Sequence, residues 1–266
     1  ADECDRTLPG SQPVGIHIEG PFINPRMRGA HPMQHVRDID LGEAERLIAA
    51  GRGKILLWTY APELGDSEEL CKLLVNHGVM PCLGHSSAEE DDVRRAFDLG
   101  ALRCSHLYNG MKPLQQRRMS LAALAMVDER VWVEMITDGV HIHPGMIDLA
   151  CRCKAKDKIV AISNSMEAAG LNSGIYKLGA DVIHVSEGKA QLADGTLAGS
   201  VNFLDHNHRQ LQRFSHMSEN EAAACFTLNA ARGIGLYDRG EIKPGKRGDR
   251  VGLDADHRVR LTIVNG

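Results

Sequence analysis

The 266-residue sequence has no apolar run of 18 residues and no leader of the kind removed on secretion, so neither a membrane-spanning helix nor an export signal is expected. It has no block of Lys and Arg. With a formal net charge of -4 and a pI near 6.4, it lacks the electrostatic footprint of a partner for nucleic acid or a membrane surface; small polar partners are expected instead. No internal repeat and no low-complexity segment appears. The seven cysteines, at positions 4, 71, 82, 104, 151, 153 and 225, are odd in number and lie mostly inside apolar runs, the pattern of reduced, buried thiols rather than of a disulfide framework. A cytoplasmic address is the expectation. Cys151 and Cys153 have no second cysteine pair to make a zinc ribbon with, and read as two faces of one helix. The chain also lacks an initiator Met, and opens on a polar segment, Ala1 to Pro13, that resembles a loop or a cut end.

What is present is the composition of one globular domain with a small satellite, 43% hydrophobic and 25% charged. Short apolar runs recur at Val14 to Ile18, Ile55 to Tyr60, Val79 to Leu83, Leu102 to Leu107, Val131 to Ile136 and Ile159 to Ile162. They read as buried parallel strands. Amphipathic stretches such as Ser67 to His77 and Ala88 to Leu99 lie between them, the latter closing on Gly100 as a helix C-cap. Strand alternating with helix means an α/β fold. Each run ends in polar residues: Glu19, Glu63, His85, His106 with Asn109, Asp138 with His141, and Asn164. Such clustering at strand C-termini predicts a TIM (β/α)8-type barrel. Only six strands can be counted, so two are expected upstream of Ala1. After Leu171 the pattern turns to alternation around Gly188 and Asp194-Gly195, a hairpin excursion, followed by a helical region from Ser200 to Ala231. The division expected is a barrel over 1–236 and part of a small β domain over 237–266.

A carboxylate at Glu19 and imidazoles at His85 and His106, each just past a different buried strand, would converge at one barrel mouth. That mixed O/N set suits one divalent metal ion, Zn²⁺ or Fe²⁺, and three protein ligands leave room for water.

Eight segments then carry a resemblance over essentially the whole chain: His17-Ile-Glu-Gly-Pro-Phe, Arg28-Gly-Ala-His-Pro, Ala61-Pro-Glu, Gly84-His-Ser-Ser-Ala, Ser105-His-Leu-Tyr-Asn-Gly-Met, Asp138-Gly-Val-His-Ile-His-Pro, Gly195-Thr-Leu-Ala-Gly-Ser and Asn229-Ala-Ala-Arg. In order and spacing they resemble the N-acetylglucosamine-6-phosphate deacetylase family of the amidohydrolase superfamily. The resemblance implies hydrolysis of the acetamide of an amino sugar phosphate, with Glu19, His85 and His106 on the metal. It further implies that His141 polarises the carbonyl, that Asn109 and the backbone NH of Gly110 grip the phosphate, and that His31 holds the sugar or phosphate. Arg117 matches a family arginine that reaches into the neighbouring subunit's site, which makes a homodimer the expected assembly.

Two departures stand out. Asn164, in Ile162-Ser-Asn-Ser-Met-Glu, occupies the position where the family has the Asp that takes and returns the water's proton, and an amide has no usable basicity for that task. An engineered substitution and a natural loss of catalysis both explain it, so a non-catalytic sugar-phosphate binder is the competing expectation; Asp138 is a conceivable substitute base. The second departure is the amino-terminal part, which in the superfamily supplies two strands and often a His-x-His metal pair. The sequence leaves open whether the gluco or galacto sugar phosphate is the substrate.

Overall fold

The structure, a computed structural model, describes residues 10–265. Cys4 and most of the opening polar segment lie outside the described residues. Six strands form one parallel sheet in sequential order: β1 (Ile16–Glu19), β2 (Ile55–Tyr60), β3 (Met80–Leu83), β4 (Arg103–Cys104), β5 (Trp132–Ile136) and β6 (Ile159–Ile162). Each successive pair is parallel and joined by a crossover that carries a helix. The helices in these crossovers are α1 (Leu41–Gly51), α2 (Ser67–Asn76), α3 (Glu90–Asp98), α4 (Leu121–Val127) and α5 (Pro144–Cys153). The sheet is the curled, partly closed form of the expected α/β fold, with separate antiparallel sheets after it.

Burial follows from this layout. β2, β5 and β6 are almost wholly buried, as parallel strands covered on both faces must be. β1 has no strand beside its outer edge among the described residues, and Ile16 there stays 38% exposed. The crossover helices start where the sequence can satisfy their free NH groups. Asp40 caps α1 by accepting from the Glu43 amide, Glu89 and Asp92 form a reciprocal box at the start of α3, and Ser120 caps α4. Helix α3 turns Val93, Ala96 and Phe97 inward, and Gly100 ends the turn at φ +107°, a conformation few side chains tolerate. On α5, Cys151 is buried and Cys153 exposed, opposite faces of one helix.

Beyond β6 the chain builds β7 (Gly174–Leu178), β8 (Asp181–Ser186) and β9 (Lys189–Gln191), an antiparallel three-stranded sheet where a hairpin was expected. It has its own small core, Ile183, Val185, Ala190 and Ala198 packing on Met166 and Ala168 just past β6. The helical region resolves into α6 (Leu204–Phe214), α7 (Glu219–Phe226) and α8 (Leu228–Arg232), and the tail into the hairpin β10 (Arg250–Leu253) and β11 (Val259–Ile263). The fourth strand is far shorter than the apolar run Leu102 to Leu107 predicts. Ser105 leaves the ladder and His106 adopts a left-handed backbone at φ +28°. No helix among the described residues is long and apolar enough to cross a membrane.

Candidate active site

The C-terminal ends of β1, β3, β4, β5 and β6 open onto a cavity of about 580 Å³ lined by Glu19, His31, His85, His106, Asn109, Gly110, His141 and Asn164, together with residues 196–199 from the loop after β9. Eight of the ten residues singled out from the sequence therefore meet in one place, with Asp138 just behind His141. Arg117 does not: it is exposed, in the turn bridged by Gln115 and Arg118. The cavity is of ordinary size for a small-molecule site.

Backbone strain is concentrated here. His85, His106 and Asn164 all have positive φ, at 47°, 28° and 48°, a conformation that costs a non-glycine residue free energy and that clusters at functional sites. Each lies two residues past a strand end, and the left-handed residue swings its side chain over the mouth of the sheet instead of continuing the alternation. Gly110 shows the same crowding from the other side. A Cβ there would sit 2.8 Å from His85 Nδ1, so only glycine lets the loop pass.

Glu19, His85 and His106 offer ligand atoms that all lie within 4.8 Å of one another. His85 Nε2 is 3.0 Å and His106 Nε2 2.7 Å from the same oxygen, Glu19 Oε1. The far nitrogen of each ring donates to a main-chain carbonyl, His85 Nδ1 to Met27 at 2.7 Å and His106 Nδ1 to Asn109 at 3.2 Å. A carbonyl can only accept, so Nδ1 carries the proton and the neutral ring presents its Nε2 lone pair to the carboxylate. Two imidazole lone pairs and an anion aimed at one point are what a divalent cation satisfies, and the held Nδ1–H is the usual device that orients a histidine ligand. The residues fit the ion. When no ion is bound the same convergence holds protons instead, and an Nε2 that takes one up donates to Glu19. Burial would raise the Glu19 carboxyl, but hydrogen bonds from His106 and His85 outweigh it and hold it well below the usual range. Burial would lower His106, but its bond to Glu19 outweighs that and raises it.

Glu63, a strand-end carboxylate with no role read from the sequence, holds this arrangement from behind. It accepts from Asn24 Nδ2 at 2.8 Å, Ser86 Oγ at 2.6 Å and the Ser87 amide at 2.6 Å. It thereby ties the loop that carries the Met27 carbonyl to the loop that carries His85.

His31 sits at the metal set rather than apart from it. Its Nε2 is 3.6 Å from Glu19 Oε2, and its ring meets His85 edge-on at 4.7 Å. Burial, the largest influence, pushes its pKa down and favours the neutral ring, so a charge-assisted grip on phosphate is not what the surroundings promote. Asn109 spends its Nδ2 on the carbonyls of His106 and Leu107, at 3.3 and 3.2 Å.

A second polar group is His141 at the cavity wall with Asp138 and Ser200 buried behind it. Asp138 Oδ2 accepts from His141 Nδ1 at 2.9 Å and from Ser200 Oγ at 2.9 Å, while Oδ1 accepts from the amides of Val140 and His141. Burial would raise the Asp138 carboxyl; the bonds from His141 and the loop amides outweigh it and bring it to about 2. Ser200 is the residue that sequence reasoning missed. Its amide also donates to the Asn164 carbonyl at 2.8 Å, so one residue fixes both His141's partner and the strained turn at Asn164. The only signal in the sequence was its place at the end of Gly195-Thr-Leu-Ala-Gly-Ser.

Parallel strands with polar residues gathered at one end, and over their mouth a Glu/His/His set able to hold a divalent ion, are the features of a hydrolase of the amidohydrolase class. The sequence agrees: residues 4–266 match the profile of the Amidohydrolase family, and the chain belongs to that family. Within it, the chain is 35% identical to N-acetylgalactosamine-6-phosphate deacetylase from Escherichia coli O157:H7, an alignment covering 100% of this chain and 71% of the relative. It is 34% identical to N-acetylglucosamine-6-phosphate deacetylase from Bacillus subtilis strain 168, covering 98% and 66%. Among solved structures it is similar to an aspartate-to-alanine mutant of N-acetyl-D-glucosamine-6-phosphate deacetylase from Mycobacterium smegmatis in complex with N-acetyl-D-glucosamine-6-phosphate, with a TM-score of 0.91, 35% identity and coverage of 95% of this chain and 67% of the other. The N-acetylglucosamine-6-phosphate deacetylase of Thermotoga maritima gives a TM-score of 0.89 at 35% identity, covering 95% and 68%. The chain thus spans about two thirds of the length of these proteins.

Proposed function

We propose that the protein hydrolyses the acetamide of an N-acetyl hexosamine 6-phosphate, with Glu19, His85 and His106 holding one divalent ion, zinc or iron. The observation that carries this reading is the convergence of both imidazole Nε2 atoms on Glu19 Oε1 at 3.0 and 2.7 Å, beside His141 and Asn164 in one cavity. The ion would supply Lewis acidity, lowering the pKa of water towards neutrality. The protein's own residues do the rest. Glu63 and the Met27 carbonyl keep His85 in its ligand tautomer, the Gly110 amide orients the phosphate together with Asn109, whose Nδ2 exchanges its bonds to the His106 and Leu107 carbonyls for the phosphate, and His141 stabilises the charge that develops on the amide oxygen. Arg117, outside the cavity of its own chain, serves the partner's site in a cytoplasmic homodimer. In this proposal the sheet closes as an eight-stranded barrel with two strands not contained in this chain, the barrel ending at residue 236 and a small β domain taking residues 237–266.

A second reading rests on one observation. Asn164 lines the cavity where the resemblance calls for a carboxylate, and no hydrogen bond to its side-chain amide is found among the described residues. A protein that only binds the sugar phosphate has no use for a base there. The test is acetate release from N-acetylglucosamine 6-phosphate and its galacto epimer by the Asn164→Asp variant, metal-loaded. A deacetylase gains roughly 10²- to 10⁴-fold, the usual worth of general acid-base help. A folded, metal-loaded variant inert on both sugars makes the protein a binder.

A further inference from the structure

We infer that His141, backed by Asp138, is the group that takes the proton from the attacking water and returns it to the departing nitrogen in this chain. The inference rests on the deacetylase reading. Asp138 is a carboxylate whose side chain is 1% exposed and whose pKa is drawn down to about 2, so at working pH it only accepts. Its bond at 2.9 Å therefore fixes the proton of His141 on Nδ1. Nε2 is left as a bare lone pair. It has no protein partner among the described residues, and His141 lines the cavity. A lone pair cannot donate to a carbonyl. His141 can stabilise an oxyanion only after gaining a proton, and the water that attacks is the proton's source.

The other titratable side chains lining the cavity are Glu19, His31, His85 and His106. Three are the proposed metal ligands and the fourth leans on Glu19. Groups packed behind His141 are Asp138, Ser200 and His206, whose Nε2 lies 3.4 Å from the Asp138 carbonyl. Only His141 combines a free acceptor with a buried anion behind it, the arrangement that steadies an imidazolium.

The step balances. Water oxygen bonds to the acetamide carbon, the carbonyl π pair moves onto oxygen, and one water proton passes to His141 Nε2. The oxygen pair then re-forms the carbonyl, the C–N bond breaks, and the His141 proton goes to the nitrogen. The products are the free amine and acetic acid, which loses its remaining proton to give acetate and an ammonium group.

The test is a double-mutant cycle on kcat for acetate release from N-acetylglucosamine 6-phosphate, on full-length, Zn²⁺-loaded protein, between His141→Gln and Asn164→Asp. With Asn164 in place, His141→Gln should cost at least tenfold more than it costs beside the restored carboxylate, because the carboxylate takes over the proton. Asp138→Asn, which can still fill the loop, should lower kcat at least tenfold with KM unchanged in the Asn164 background and less in the other. Equal losses in both backgrounds overturn the inference and leave His141 as a carbonyl polariser alone. An active Asn164→Asp variant beside a wholly inert native chain overturns it too. If even Asn164→Asp releases no acetate, the deacetylase reading itself fails and takes the inference with it.

Discussion

Two buried carboxylates with their partners, one at each end of the same six strands, differ in what they leave free. At the N-terminal end Arg103 donates to Glu134 Oε1 at 2.8 Å and to the Gly233 carbonyl at 2.7 Å. Trp132 lies 5.9 Å from the guanidinium. Both terminal nitrogens are committed, the pair is sealed, and neither residue has a strained backbone. At the C-terminal end His141 is held by Asp138 through one nitrogen only, and the turns around it carry left-handed residues. Arg103 Nε is buried without a partner, yet no polar atom of this pair faces a cavity, and such a pair serves the fold, whereas a group with a face turned to a cavity is available for chemistry.

That contrast can be broken experimentally. The largest effect is expected at the sealed end. Arg103→Ala leaves the Glu134 carboxylate buried without its cation, which should cost about 3–5 kcal/mol in urea unfolding, while the fraction that stays folded keeps its metal. Loss of metal without loss of stability would mean that the two ends are not separable. Next comes acid. The Asp138 carboxyl sits at about 2 against an ordinary 3.8, so its stabilisation is fully present above pH 4 and is lost as pH falls through 2. The difference, about 2 kcal/mol, should vanish in Asp138→Asn; an unchanged acid limb in that variant assigns it elsewhere. The smallest effect is at Arg117, exposed and outside the cavity. Arg117→Ala should change stability by no more than about 0.5 kcal/mol and weaken binding of the phosphorylated sugar relative to the unphosphorylated one. No change in that preference removes Arg117 from the site.

The parallel core was legible because a strand buried on both faces announces itself as an apolar run, as Ile55 to Tyr60 and Ile159 to Ile162 do. The fourth run misled for a physical reason: Leu107 is buried by loop packing after His106 has turned, so apolarity outlasts the strand. Strand β7 escaped notice because most of it is exposed and carries little alternation. Glu19, His85 and His106 could be grouped from their strand-end positions. The tautomers could not, since they depend on the Met27 and Asn109 carbonyls, and the link from Ser200 to Asp138 spans 62 residues, a tertiary contact that no local pattern encodes.

The central claim is that Glu19, His85 and His106 form one metal site, and calorimetric titration of the metal-free protein with Zn²⁺ tests it most directly. The native chain should bind one ion per chain. His106→Ala should lose at least about 100-fold in affinity, since even a partner that merely orients a ligand is worth about 10- to 100-fold. A folded His106→Ala protein that keeps stoichiometric zinc at native affinity would contradict the account.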